Sequence, residues 1–198
     1  NASLSELANQ LNSSFTSCDV LEENFSEKIV NDLKDDQVNG LAYCVGSIDL
    51  KPLKLTKKSD FMQSFNLNLV SATEIIKSLA DNLKTNKGSI VLFSTVAVKQ
   101  GFPNHAIVSS AKGAVEGLTL ALAAEYAPNI RVNCIAPSLT KSKISNFLLK
   151  NEKMAESIAK MHPLKRIGEG EDSASVAKFL LTDQSSWITG QVLGVDGG

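Results

Sequence analysis

The sequence has few cysteines, few aromatic residues and almost no net charge. Its three cysteines and two histidines form neither a CxxC pair nor a closely spaced histidine pair, which argues against a metal site. The formal net charge of -1 gives no electrostatic reason to expect nucleic acid or an anionic membrane as a partner. No run of about 18 consecutive apolar residues occurs, which argues against a transmembrane helix.

The N-terminal segment and the cysteines indicate a compartment. The first residues, NASLSELANQLNS, lack the apolar core of a secretory signal peptide. Cys18, Cys44 and Cys134 are widely spaced, and each lies in or beside an apolar run. This pattern predicts buried thiols in a reducing environment. We therefore expect a cytoplasmic protein that binds neither nucleic acid nor membrane.

What the sequence does contain is an alternation of short apolar runs and longer stretches with helical spacing. Strands separated by helices of ten or more residues indicate βαβ units, and hence an α/β fold with a mostly parallel sheet. We expect one domain over residues 1–198 with helices on both faces of the sheet. The predicted strands are 15–20, 40–45, 90–93, 130–135 and 191–195, and the predicted helices are 4–11, 21–33, 59–83, 108–124, 142–160 and 171–181.

A glycine-rich turn of the G-x-G-x-x-G type is not found in the sequence. A parallel sheet that binds a dinucleotide normally begins with a strand, such a turn and a helix, which places the pyrophosphate at the helix N-terminus. A fold beginning at residue 1 would lack a central strand of this kind of sheet. We therefore expect the first βα unit to be missing from these 198 residues.

Seven short motifs follow one another in a characteristic order: CDV, YCVG, NLNLVSA, VLFST, SSAKGA, PSLTKS and ITGQVLGVDGG. In this order and spacing they resemble the short-chain dehydrogenase/reductase family, and the match runs from Asp19 to Gly198. The resemblance implies a Rossmann-type doubly wound fold and an NAD or NADP cofactor. It also implies hydride transfer to or from a carbonyl/alcohol or enoyl-type small molecule, in a homodimer or homotetramer.

The resemblance implies which residues contact the cofactor. Asp19 stands where the family has a carboxylate that holds the adenine amino group, although on spacing alone it is equally well a helix-capping turn residue. Gly46 ends a turn that shapes the floor of the cofactor site. The turn that starts at Pro137 is similar to the family's Pro-Gly turn, whose backbone groups and last hydroxyl hold the nicotinamide carboxamide. The implied cofactor contacts are Asp19, Val20, Val45, Gly46, Lys112, Pro137, Ser138, Leu139 and Ser142.

The implied catalytic residues are Asn68, Thr95 and Lys112, but the chain departs from the family at Val108. In the family a lysine lowers the pKa of a tyrosine one helical turn earlier, and the tyrosine exchanges the alcohol proton. Val108 stands at the tyrosine position and cannot transfer a proton. Asn68 matches an asparagine that anchors a relay water, or it is simply satisfied by backbone in the core. Lys112 is costly to bury unless it binds a ligand.

His105 is the candidate substitute for the missing tyrosine. It lies three residues before Val108, and its unperturbed pKa of about 6.5 suits acid–base work. The alternative is a histidine on the surface or capping the loop. Two classes of function therefore stay open. One is an oxidoreductase, for which reduction of a conjugated C=C bond needs no tyrosine. The other is a pseudoenzyme that serves as a cofactor-binding or structural subunit.

Overall fold

The computed structural model describes residues 2–34 and 36–198. Four parallel strands form one sheet in the order β1 (Gly40–Ala42), β2 (Ser89–Phe93), β3 (Arg131–Pro137) and β4 (Val192–Val195). The helices are α1 (Ala2–Leu11), α2 (Phe25–Leu33), α3 (Lys58–Phe65), α4 (Ser71–Thr85), α5 (Ala97–Gln100), α6 (Ala106–Tyr126), α7 (Asn146–Leu149), α8 (Glu152–Met161) and α9 (Gly170–Leu181). A π-helical turn (Asn66–Val70) joins α3 to α4, and single 3-10 turns lie at Leu53–Leu55 and Asp183–Ser185.

Alternate side chains of the central strands pack into separate cores on the two faces of the sheet. Ile90 and Leu92 of β2 belong to a core that α2, α4 and α6 cover. Val91, between them, packs with Ile135 of β3 and Leu180 of α9 on the opposite face. A strand buried on both faces needs apolar residues throughout, which explains the continuous run in the sequence. The predicted α/β fold, with a parallel sheet covered on both faces, is confirmed.

The outer helices begin where an acidic residue can satisfy a free backbone N–H group. Asp60 Oδ2 accepts the N–H of Lys57 at 2.8 Å at the start of α3. Asp172 Oδ2 accepts the N–H of Glu169 at 2.8 Å at the start of α9. Each carboxylate thus satisfies the backbone N–H of the residue before its helix, which is one half of a capping box.

The strand predicted over residues 15–20 is wrong. Residues 13–19 have no regular secondary structure. A strand needs a neighbour to accept its hydrogen bonds, and within the described ranges β1 pairs with β2 alone. Cys18 and Val20 pack against the core instead. Asp19 Oδ1 accepts the N–H of Leu21 at 3.0 Å, and this turn delays the start of α2 from the predicted residue 21 to Phe25.

Two predicted helices are interrupted. The helix expected over residues 59–83 contains the π-helical turn Asn66–Val70, because a buried asparagine at its centre binds a backbone carbonyl of the preceding turn. The segment 142–160 forms two helices, α7 and α8, rather than one. Asn151 caps α8, with its Oδ1 accepting the N–H of Met154 at 3.1 Å.

Helix α6 is long and apolar enough to cross a membrane by length and composition, with a hydropathy of 1.3 over its most apolar window. Its buried side chains offer a different explanation for that composition. Val115, Leu122 and Ala123 are part of the core that covers one face of the sheet. A helix that packs on a sheet along its length carries such an apolar stripe.

Candidate active site

The candidate site lies at the edge of the sheet where the four parallel strands end. Hydrogen bonds join the segments that follow the strands: the N–H of Tyr43 donates to Val91 O at 3.0 Å, and the N–H of Val96 donates to Pro137 O at 3.1 Å. In open parallel sheets, ligands bind at this carboxyl edge. The turn after β1, the loop after β2 and the turn after β3 therefore converge on one place.

Gly46, Asn68 and Lys112 meet beneath this edge. A Cβ atom built on Gly46 would lie 2.7 Å from Asn68 Oδ1 and 3.1 Å from Lys112 Nζ. The first distance is too short for any side chain, so only glycine lets the turn after β1 approach these polar groups. We call these three residues the cradle. Sequence reasoning assigned them to the site separately, and the structure brings them together.

Lys112 is the buried cation of the cradle. Only 8% of its surface is exposed, and its Nζ donates to Phe93 O at 2.8 Å. Burial lowers the pKa of Lys112 from 10.5 to about 8, an effect that the neighbouring Cys134 and Cys44 thiols partly oppose. An ammonium group has three N–H donors. Among the described residues, Phe93 O is the acceptor it finds, so the group has donors left for a ligand.

Asn68 supplies a buried acceptor in the cradle. Its side chain is 1% exposed, and Nδ2 donates to Ser64 O at 2.8 Å. Its Oδ1 has no hydrogen-bond partner within the described part of the chain. A buried amide oxygen without a partner is costly, which points to a water or ligand as its natural partner.

Tyr43 is hydrogen-bonded to the residues on either side of Asn68 in the chain. Its hydroxyl lies 2.9 Å from Leu67 O and 2.5 Å from Ser71 Oγ, both in or next to the π-helical turn. Burial raises the pKa of Tyr43, partly offset by the hydrogen bond with Ser71. In the sequence, Tyr43 is the first residue of the YCVG motif, and the motif alone does not predict this contact.

Thr95 and Val108 occupy the two other catalytic positions. Thr95 is half-buried, and its Oγ1 accepts the N–H of Ala97 at 3.3 Å, which leaves its own hydroxyl proton available for donation. Val108 is buried, with 4% exposure. Neither neighbouring serine replaces a tyrosine, because Ser109 Oγ donates to Ala97 O at 3.1 Å and Ser110 Oγ donates to backbone of its own helix.

His105 makes its contacts within the loop that precedes α6. Its Nδ1 lies 2.8 Å from Pro103 O, and its ring centroid lies 5.4 Å from that of Phe102. These contacts do not reach Asn68, Thr95 or Lys112. The role of His105 as a proton donor stays a prediction.

Asp19, Val20 and Val45 are further predicted cofactor contacts. Asp19 Oδ1 accepts the N–H of Leu21 in a local turn, which is not a helix cap because α2 begins only at Phe25, and the second oxygen of Asp19 is not part of that bond. Val20 is half-buried, whereas Val45 is 38% exposed beside the cradle. Their contacts with a cofactor stay predictions.

The turn after β3 runs over the same edge. The N–H of Ser138 donates to Val195 O at 3.4 Å, and Leu139 O accepts the N–H of Gly168 at 3.1 Å. Ser142 Oγ lies 3.0 Å from Ser145 Oγ, so this hydroxyl has a protein partner as well as its predicted role. The structure also shows a contact that sequence reasoning missed: Ser138 Oγ lies 2.7 Å from Nε2 of a histidine beyond the next two helices.

The arrangement suits a nicotinamide nucleotide and offers little to a metal ion. Residues 2–34 and 36–198 contain no group of three or more His, Cys, Asp or Glu side chains that could hold a metal. The cradle instead offers a buried N–H donor and a buried oxygen acceptor side by side. Vicinal ribose hydroxyls both donate and accept, so they match this pair of groups.

The match to a family model agrees with this geometry. A model described as enoyl-(acyl carrier protein) reductase matches residues 1–198. The chain belongs to the short-chain dehydrogenase/reductase family of oxidoreductases. It is 35% identical over 196 residues to a tropinone reductase homologue of Arabidopsis thaliana, covering 96% of this chain and 74% of that protein. It is 35% identical over 138 residues to dehydrogenase/reductase SDR family member 4 of Homo sapiens, covering 69% of this chain and 50% of that protein.

Solved structures show the same fold. A short-chain dehydrogenase/reductase from Brucella melitensis superposes with a TM-score of 0.93 at 28% identity, covering 100% of this chain and 82% of that one. The structure of ElxO with NADP bound gives a TM-score of 0.88 at 29% identity, covering 98% of this chain and 83% of that one. The chain spans 58% and 55% of the lengths of two further plant relatives, so it matches part of their length only.

Proposed function

We propose that the protein uses NAD or NADP to transfer hydride to or from a small molecule. The observation that carries the proposal is the cradle. In it the Lys112 ammonium lies beside Asn68 Oδ1, which has no partner among the described residues, and both groups lie too close to Gly46 to leave room for a side chain there. Lys112 and Asn68 would hold ribose hydroxyls, and the turn from Pro137 to Ser142 would cover the nicotinamide. ElxO, which is similar to this chain, has NADP bound in its solved structure.

We further propose that the substrate is a conjugated C=C compound. Bound nicotinamide supplies or accepts the hydride. Reduction of a ketone also needs a proton on the carbonyl oxygen, and buried Val108 cannot give one. In a conjugated substrate the hydride adds to the β-carbon, and water can protonate the α-carbon. The Thr95 hydroxyl would donate a hydrogen bond to the substrate oxygen. The family model's description as an enoyl reductase supports this choice.

The test is turnover by the natural full-length protein with NADH or NADPH. Oxidation of the reduced cofactor is followed with α,β-unsaturated ketones and thioesters and with their saturated ketone counterparts. We expect turnover of the conjugated compounds at least about 10-fold faster than that of the ketones, since general acid catalysis contributes about 100-fold or more. Cofactor binding without turnover of either group would overturn the catalytic proposal and favour a cofactor-binding subunit. Faster ketone reduction would overturn the choice of substrate.

We also propose that the protein forms a homodimer or homotetramer through the outer face of α6. Gly117 and Ala121 are exposed small residues there, and Leu120 is 56% exposed beside them. The small residues would let a second helix approach this face closely, and the contact would cover Leu120. Leu120→Arg should convert the assembly to monomers in light scattering, whereas Leu7→Arg, at an equally exposed leucine on α1, should not. An unchanged mass for Leu120→Arg would contradict the proposal.

A further inference from the structure

Helix α8 lies in the segment between β3 and α9 and has little to hold it in place. None of its residues is buried. Ala155, Ile158 and Ala159 are half-buried, and Met161 at its end is 71% exposed. Burial of apolar surface therefore contributes little to its position, and specific contacts at its ends must contribute more.

His162, the residue after α8, is the buried contact at that end. His162 is only 9% exposed, although the helix before it is open to solvent. Nδ1 lies 2.8 Å from Ile158 O inside the helix, and Nε2 lies 2.7 Å from Ser138 Oγ in the turn after β3. A Cβ built on Gly197 would lie 3.5 Å from Cδ2, so the ring also packs against the backbone that follows β4.

The hydrogen-bond directions follow from the partners. Ile158 O can only accept, so Nδ1 carries a proton. In the neutral ring Nε2 then accepts the hydroxyl proton of Ser138. The imidazole thus joins the last turn of α8 to a turn that we place over the nicotinamide. Ser138 stands where the related Pro-Gly turn has glycine. Glycine has no side chain to make this contact, whereas Ser138 has a hydroxyl.

We infer that His162 is a positioning residue that fixes α8 to the turn after β3 through Ser138, and that the helix held in this way borders the substrate. The effect on substrate binding rests on the proposed function, whereas the contact between His162 and Ser138 does not. His162 does not touch the reacting atoms in this account. It sets the place of the helix and of the turn to which the helix is joined, so its loss should weaken substrate binding more than it slows the chemical step.

The experiment is hydrogen–deuterium exchange of the full protein without cofactor or substrate, followed by steady-state kinetics. The variants are Ser138→Ala, His162→Phe and their combination. His162→Gln serves as a conservative variant whose amide oxygen can still accept from Ser138. The matched control is Ser175→Ala, which removes an exposed hydroxyl that donates to Glu171 O in its own helix.

We expect amides of α8 to exchange about 3- to 10-fold faster in Ser138→Ala and in His162→Phe, which is the range for the loss of one hydrogen bond. The combined variant should be no faster than the faster single variant. Peptides of β2, β3 and α9 and the Ser175→Ala control should be unchanged. Three results would overturn the inference. They are single effects that multiply in the combined variant, unchanged exchange in Ser138→Ala, and faster exchange throughout the protein. If His162→Phe does not fold, Ser138→Ala decides alone.

In kinetics, His162→Phe should raise the KM for substrate about 3- to 10-fold while kcat stays within about twofold, and His162→Gln should keep most of the wild-type KM. A kcat loss without a KM change would contradict a positioning role. Exchange in α8 does not depend on cofactor. A wild-type protein that binds no nucleotide would therefore refute the proposed function and leave the result on His162 standing.

Discussion

Replacing Lys112 by methionine should make the free protein more stable while it weakens cofactor binding. Burial lowers the pKa of Lys112 from 10.5 to about 8. Each unit of pKa corresponds to about 1.4 kcal/mol. The lowering of about 2.5 therefore means that keeping Lys112 ionised in the folded protein costs on the order of 3 kcal/mol at pH 7. The lost bond to Phe93 O offsets about 1 kcal/mol of this. We therefore expect the free energy of unfolding to rise by about 1–3 kcal/mol in Lys112→Met at pH 7.

The pH dependence gives the same test a second readout. Between pH 8 and 10.5 the unfolded chain keeps a proton on Lys112 that the folded protein has released, so Lys112 makes the folded protein more stable as pH rises through this window. The variant lacks this contribution, so its advantage at pH 7 should shrink toward pH 10. Cys44 and Cys134, whose pKa values burial raises, are present in both proteins and largely cancel in the difference.

The measurement is urea unfolding followed by circular dichroism at pH 7, 8, 9 and 10. Lys99→Met, at an exposed lysine of α5, is the control and should change neither the stability nor its pH dependence. A Lys112→Met protein that is less stable at pH 7 would refute the reasoning. So would a stability difference that stays constant from pH 7 to pH 10, because the buried charge would then not be the cause.

Three further substitutions test the site. Val108→Tyr should raise ketone reduction at least about 10-fold, since it places a phenol one turn before Lys112, and a Val108→Phe variant with the same gain would contradict this. Gly46→Ala should weaken cofactor binding at least about 10-fold in calorimetry because its methyl would lie 2.7 Å from Asn68 Oδ1. The control is Gly170→Ala at the start of α9, whose methyl meets nothing within 4 Å. His105→Ala should keep turnover within about twofold, because its contacts stay in its own loop; a larger loss would make it the proton donor.

The order of strands and helices was predictable because it depends on apolar periodicity and segment length. Residues 90–93 are apolar throughout, residues 130–135 are apolar except at Arg131 and Asn133, and both segments form central strands. Residues 15–20 mix apolar and polar side chains and are short enough for a strand, but a strand also needs a partner, which no local pattern can report. The π-helical turn within residues 59–83 depends on the hydrogen bond that the Asn68 side-chain amide donates to Ser64 O. An apolar stripe continues through it without a visible gap.

The candidate site was predictable in part. Motif order identified Asn68 and Lys112, and the structure places both against Gly46. Motif order could not show that Asn68 Oδ1 is left without a partner among the described residues, because that depends on three-dimensional packing. The contact between Ser138 and His162 was missed for a similar reason. It joins residues 24 apart across two helices, and neither residue belongs to a motif that implies the other.

The central claim is that the cradle holds a nicotinamide nucleotide, and calorimetric titration tests it most directly. The natural full-length protein is titrated with NAD, NADH, NADP and NADPH, beside Lys112→Met. We predict a dissociation constant in the micromolar range for at least one of the four, weakened about 10-fold or more in the variant, which corresponds to about 1.4 kcal/mol. No binding of any of them at millimolar concentration, or equal binding by Lys112→Met, would contradict the account.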